Sequence, residues 1–208
     1  MYTMRTPVKS ADTLAKELLI FLETESLSDD RQDWDEYEYE QRSGLKNRVQ
    51  KFLKRKKIRG AKFKSGVFRL AVILPFAVLK LPIKSESVER FPEEATFIKR
   101  MRSTVKYKRH FPVTRLVVNA HNSIMNRYCL VQEVIKMNKK EDYQMNKTER
   151  FFHDESQRLA GRLGLGDMHE WNYGWKGDKN KKYPVYVDCE FCDSTATSEG
   201  MALRSWMK

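Results

Sequence analysis

A few residues of this chain have the types and the order needed to handle a highly charged substrate. A lysine sits inside an apolar run (Lys80 in FAVLKLPI), and glutamates follow it (Glu93 and Glu94 in FPEEATFIKRM). Further on, GDMHEWNYG sets Asp167 five residues before Asn172, and Asp188 closes the β-rich run VYVDCEF. Phosphoryl transfer from a nucleotide suits such a set, because it needs little covalent help and depends on positioned charge. It calls for a cation on the phosphates, carboxylate and amide oxygens on a magnesium ion, and a carboxylate near the attacking hydroxyl. Ordinary roles exist for each residue taken alone. Asp167 and Asn172 suit a capped or solvated loop, Lys80 could snorkel to the surface, and Glu94 would complement a helix N-terminus. A lysine in a half-buried strand is nevertheless costly without a carboxylate partner. Glu94 is the nearest candidate, with Glu93 as the alternative.

The elements that must hold these residues are legible from periodicity. Residues 10–24 (SADTLAKELLIFLET) predict an amphipathic helix with Leu14, Leu18, Ile20 and Phe21 near one face. A second helix is expected from about Asp33 to Lys56, with Leu45, Val49, Phe52 and Leu53 at helical spacing and Gly60 ending it. From Phe63 the period changes. FKSGVFRLAVIL and PFAVLKLPI read as strands separated by Pro75, with Gly66 permitting an unusual backbone angle or the close approach of a ligand. SVERFPEEATFIKRMRS predicts a helix entered at Phe91-Pro92, and TRLVVNA and RYCLVQEVI predict two more strands around an AHNSIMN turn. KTERFFHDESQRLAGRL, Lys147 to Leu163, is a helix closed by Gly164. A polar turn then leads to a strand in which Tyr183, Val185 and Val187 alternate with Pro184, Tyr186 and Asp188, and MALRSWMK suggests a short terminal helix. This order predicts an α+β protein with an antiparallel sheet and helices segregated to one end.

Composition narrows the function classes. The 208 residues are 40% hydrophobic and 12% aromatic, enough to build a core. The longest apolar stretch, Val67 to Ile83, is broken by Arg69, Pro75, Lys80 and Pro82, so it reads as buried strands and not as a membrane span. The first residues, MYTMRTPVKSADT, contain no apolar signal region, so a cytoplasmic protein without membrane association is the expectation. Three cysteines, Cys129, Cys189 and Cys192, fit free thiols in a reducing compartment. The Cys189/Cys192 spacing also admits metal or redox use. A net charge of +12 invites nucleic-acid contact through the basic segments 45–64 and 99–109. A dense acidic run between Glu23 and Glu40 offers mutual neutralisation as the other reading.

Taken together, VLKLP, the helix glutamate, GDMHEWNYG and VYVDCEF resemble the protein kinase-like superfamily, in particular its compact microbial branch of aminoglycoside phosphotransferases and small bacterial or phage kinase-like proteins. That branch carries a D-L-H-x-x-N-x-G type of loop and a D-x-E magnesium motif, matched here by Asp167–Gly174 and by Asp188-Cys189-Glu190. The resemblance implies a minimal kinase-like domain over 60–208, with lobes 60–136 and 137–208, behind a helical extension at 1–59. It implies ATP and Mg2+ as cofactors and a protein hydroxyl as acceptor, on the chain itself or on a host protein. Asp167 would orient that hydroxyl, Asn172 and Asp188 would ligate magnesium, and Lys80, paired with Glu94, would hold the phosphates. Residues 64–69, with Gly66, would form a reduced phosphate-covering loop, and backbone groups of Gln132, Glu133 and Val134 would meet the adenine. His169 would orient the loop or pack it. The sequence departs from the family pattern in three respects: Leu165 stands where many kinases have a bracing histidine, only Gly66 represents the glycine-rich loop, and the chain ends at Lys208, which implies a truncated C-terminal lobe. Two other readings stay open beside transfer: a degenerate kinase fold acting as a binding inhibitor, and a basic nucleic-acid-binding regulator.

Overall fold

A computed structural model describes residues 8–26, 37–66, 68–119, 126–137, 144–166, 172–177 and 182–191. In chain order these form α1 (Val8–Ser26), α2 (Tyr37–Arg55), β1 (Lys62–Ser65), β2 (Arg69–Ile73), β3 (Val78–Pro82), α3 (Ser85–Val88), α4 (Arg90–Ser103), β4 (Thr114–Val118), β5 (Tyr128–Gln132), α5 (Lys147–Leu163), β6 (Leu165–Gly166), β7 (Tyr173–Lys176), β8 (Tyr183–Tyr186) and β9 (Glu190–Phe191). The class is α+β, as expected. The MALRSWMK segment lies outside the described residues. Two compact units emerge, one of residues 1–95 and 114–134 and the other of residues 96–113 and 135–208.

The first unit is built on a five-stranded antiparallel sheet in the order β1-β2-β3-β5-β4. β2, β3 and β5 are its inner strands, and the apolar runs of the last two, VLKLP and YCLVQ, are buried over most of their length. Strands covered on both faces read as near-continuous hydrophobic sequence, which is why VLKLP shows no clean alternation. The covering elements include α1 and α2. Ala11, Leu14, Leu18 and Leu22 of α1 and Val49 and Phe52 of α2 form one core with Val72, Leu79 and Val131 of the sheet. α1 and α2 therefore share their core with the strands that follow. Polar contacts fasten α1 to the sheet as well, with Arg115 Nε donating to Asp12 at 2.9 Å and Asn119 Nδ2 to Glu23 Oε2 at 2.9 Å. Ile20, expected on the buried face, is 46% exposed. The buried stripe runs through residues 11, 14, 15, 18, 19 and 22, and position 20 lies roughly opposite it at 100° per residue.

α2 stops at Arg55, before the expected Gly60. Lys57 adopts a left-handed conformation (φ 57°), its N–H donates to the Lys54 carbonyl at 3.0 Å, and the Ile58 N–H donates to the Leu53 carbonyl at 2.9 Å. These two bonds make the usual helix stop, with lysine in the place glycine normally takes. The missing glycine costs about 1 kcal/mol.

The second unit packs α5 and the C-terminal part of α4 with two short hairpin-like pairs, β6 with β9 and β7 with β8. α5 has both ends specified by sequence. Asn146 and Glu149 cap it reciprocally, each backbone N–H donating to the other's side chain at 3.0 Å, and Gly164 closes it with φ 68°. In β8 the expected alternation fails, because Pro184, Val185 and Tyr186 are all buried. Both faces of that strand are covered, leaving no solvent side for a period of two.

His110 ties β8 to the segment after α4. Its Nδ1 lies 2.9 Å from the Pro184 carbonyl, and Arg109 Nε donates to Nε2 at 3.2 Å, a pattern that fits the neutral ring with the proton on Nδ1. Burial pushes the imidazole pKa below its ordinary 6.5, the Pro184 bond opposes the shift, and Arg109 adds to it. Since the folded-state value lies below the unfolded one, His110 has no effect on stability above about pH 6.5. As the pH falls below that, the unfolded chain takes up its proton first and stability drops. The thermal midpoint of the protein is therefore expected to decline from pH 7 to pH 5, with a shallower decline in His110→Gln. An unchanged slope in that variant would remove His110 from the acid response.

Candidate functional site

In the first unit the buried charges meet at Glu94. α4 turns Phe91, Glu94, Ile98 and Met101 inward at helical spacing, while Glu93 faces out. Glu94 is 2% exposed, and its Oε1 accepts from Lys80 Nζ at 3.0 Å. The partner left open between Glu93 and Glu94 is thus Glu94. Its Oε2 accepts from Arg69 Nη1 at 2.5 Å. Register explains the convergence. Lys80 is paired across β2–β3 with Ala71 and Pro82 with Arg69, so Arg69 and Lys80, two steps apart along the ladder, share one face of the sheet. The sequence places Arg69 only at the end of the 64–69 loop. Its role depends on the β2–β3 register, which the β-rich run of sequence does not specify by itself.

Two other expected contributors stand in the same unit. Gly66 follows β1, and its N–H donates to the Arg69 carbonyl at 2.9 Å. Its backbone is not left-handed, and an added Cβ would sit 3.8 Å from the Arg69 oxygen, an ordinary contact. Of the two expectations for Gly66, an unusual backbone angle or the close approach of a ligand, the first is therefore corrected: its conformation is one that other residues adopt. Gln132, at the end of β5, is 3% exposed, and its Nε2 is buried without a hydrogen-bond partner among the described residues. Glu133 after it is half-buried and Val134 is exposed.

The second unit brings Asn172 and the Asp188 segment together through backbone pairing. Tyr173 of β7 lies opposite Tyr186 of β8, and the Val187 N–H donates to the Asn172 carbonyl at 3.0 Å, extending the ladder one residue. Asp188, next along that strand, is half-buried with its Oδ1 inside. The β6–β9 pair sets Gly166 opposite Glu190. The Asp188-Cys189-Glu190 segment therefore runs beside the chain that leads into the loop at 167. Asp167 and His169, and Cys192 of the cysteine pair, lie outside the described residues. Leu165, in the position noted for its lack of histidine, is a buried apolar residue opposite Phe191.

The residues around Asn172 are braced from α5. Tyr173 is fully buried, with its hydroxyl hydrogen-bonded to His153 Nδ1, and the Tyr186 hydroxyl donates to the Ser156 carbonyl at 2.7 Å. Burial raises the Tyr186 pKa, so its hydroxyl stays a donor. The last glycine of the GDMHEWNYG motif has a packing role. A Cβ on Gly174 would fall 2.5 Å from both Ile135 Cγ2 and the Lys136 carbonyl oxygen, because the chain at 135–137 crosses directly over β7 and the Trp175 N–H donates to Lys136 at 3.0 Å. Gly174→Ala is expected to cost about 3 kcal/mol, since backbone and not a flexible side-chain tip blocks the methyl. Urea unfolding checks this, and a loss below about 1 kcal/mol would mean that the crossing segment yields.

Chemically, the first unit offers a buried cation held by a carboxylate, and the second offers an amide and a carboxylate at adjoining strand ends. Among the described residues no group of three or more His, Cys, Asp or Glu side chains is placed to hold a metal ion. Asn172 and Asp188 suit a hard cation that takes one or two protein oxygens and completes its shell with water and substrate phosphate, as magnesium does. Among the described residues no helix is long and apolar enough to cross a membrane. No protein-family model matches the chain, and no curated protein matches it at a significant level.

Proposed function

We propose that this chain is an ATP- and magnesium-dependent phosphotransferase of the protein kinase-like type, acting on a protein hydroxyl. The observation that carries the reading is the buried Lys80–Glu94 ion pair, with the lysine on the third strand and the glutamate on α4, which follows it after the single turn of α3. In protein kinases a lysine of the third strand, paired with a helix glutamate, holds the nucleotide phosphates, and an aspartate and an asparagine hold the magnesium ions. Supporting it are the β7–β8 ladder that aligns Asn172 with the approach to Asp188 and the buried Gln132 Nε2, a donor available to a purine edge. Bound magnesium would neutralise charge developing on the transferred phosphoryl group. The chain's own residues have the remaining tasks in this reading: Lys80 fixes the phosphates, Glu94 fixes Lys80, Asn172 and Asp188 supply oxygens, and Asp167 orients the acceptor hydroxyl. Transfer of label from γ-labelled ATP, with magnesium, to the chain or to an added protein tests the proposal.

Two features favour a second reading. Arg69 shares Glu94 with Lys80, and the β1–β2 turn contains a single glycine with ordinary geometry. A fold that keeps the ion pair without turnover would serve as a protein-binding inhibitor. In that case nucleotide raises the melting temperature but no label is transferred.

A further inference from the structure

We infer that the groove between the end of α2 and β1 binds single-stranded nucleic acid. The groove encloses about 710 Å³. Its rim carries Lys54, Lys57 and Arg59, all exposed, and its floor is apolar, formed by Leu53, Ile58 and Phe63. Among the described residues none of the three rim cations has an ion-pair partner, whereas nearby Lys56 is committed to Glu17 at 2.7 Å. The surrounding sequence, 45–64, contains no acidic residue. Phe63 is half-buried on the edge strand β1, between exposed Lys62 and Lys64, with Lys46 Nζ 6.0 Å from its ring centroid. Cations spaced along a groove with an aromatic face on its floor are the means by which proteins hold single strands: phosphates go to the cations, bases to the ring. An acidic peptide would use the cations alone. Lys57 adds an independent sign. It stays in a left-handed conformation that glycine would adopt without strain, and strained non-glycine positions cluster where a side chain is needed for binding. This inference does not depend on the phosphotransferase reading.

The test uses the full chain and fluorescent 15-mers of oligo-dT and oligo-rU, with anisotropy followed at two salt concentrations. Lys54→Ala/Lys57→Ala/Arg59→Ala is expected to weaken binding about tenfold or more and to flatten the log-affinity against log-salt slope by about 2, as three lost contacts to a single strand imply. A control of equal charge change outside both basic segments, Lys136→Ala/Lys147→Ala/Lys182→Ala, should bind within about twofold of the parent at moderate salt. Phe63→Leu, which keeps an apolar side chain against the core but removes the ring, should weaken binding roughly fivefold or more at an unchanged salt slope. Lys57→Gly should raise the unfolding midpoint and weaken binding together, whereas a purely structural role moves the midpoint alone. Equal losses in the two triple variants, loss only in the control, or displacement of the strand by poly-glutamate as readily as by unlabelled oligonucleotide would overturn the inference. A preference between dT and rU identifies the polymer within the same proposal.

Discussion

Glu94→Ala is expected to destabilise the first unit by roughly 3–5 kcal/mol, the cost of breaking a buried ion pair from one side. The side chains of Lys80 and Arg69 are 6% and 11% exposed, so neither ammonium nor guanidinium can exchange the lost carboxylate for bulk water without opening the sheet. Glu94→Gln keeps an acceptor oxygen and should lose less. Lys80→Met/Glu94→Gln should lie closer to the parent than Glu94→Ala, since it removes a charge along with its partner. Amide exchange in β3 and β5 follows this directly, because these inner strands open only with the whole sheet. A Glu94→Ala loss within about 1 kcal/mol would class the pair with solvent-screened surface bridges.

Asp188→Asn should lower phosphoryl transfer by about 10²–10³-fold while leaving the fold intact, the scale seen when one preorganised electrostatic contact is lost from an active site. The amide has nearly the shape of the carboxylate but not its charge, so β7–β8 pairing and the Tyr186–Ser156 bond should persist. The loss should appear in kcat and in the magnesium requirement, with metal-free nucleotide binding little changed. Transfer at parental rates in Asp188→Asn would take Asp188 out of the mechanism. Parental rates in Lys80→Met would do the same for the cation.

Much of this organisation was readable from pattern. α5 carries its own boundaries in Asn146, Glu149 and Gly164, and it forms over the expected residues. The two strands on either side of Pro75, and the helix that presents Glu94, likewise follow from local periodicity. What escaped was non-local. Arg69 reaches Glu94 only because β2 and β3 pair in one register, and a register is a property of two strands. Ile20 and the buried Pro184–Tyr186 run depended on which faces would be covered, which periodicity within one element does not determine. Lys57 showed the opposite limit. Gly60 was the obvious helix stop, yet the chain turned earlier on a lysine, a choice with no local energetic advantage. Of the six residues first singled out, Lys80, Glu93, Glu94, Asn172 and Asp188 lie in the described structure, and Asp167 lies outside it.

The most direct measurement is a crystal structure of the chain with magnesium and a non-hydrolysable ATP analogue. The account predicts a magnesium ion within about 2.0–2.1 Å of both the Asn172 amide oxygen and an Asp188 carboxylate oxygen, as octahedral magnesium requires, with Lys80 Nζ on a phosphate oxygen and still bonded to Glu94. A structure in which nucleotide is bound but its metal touches neither Asn172 nor Asp188, or in which saturating nucleotide leaves Lys80 in contact with Glu94 alone, would contradict it.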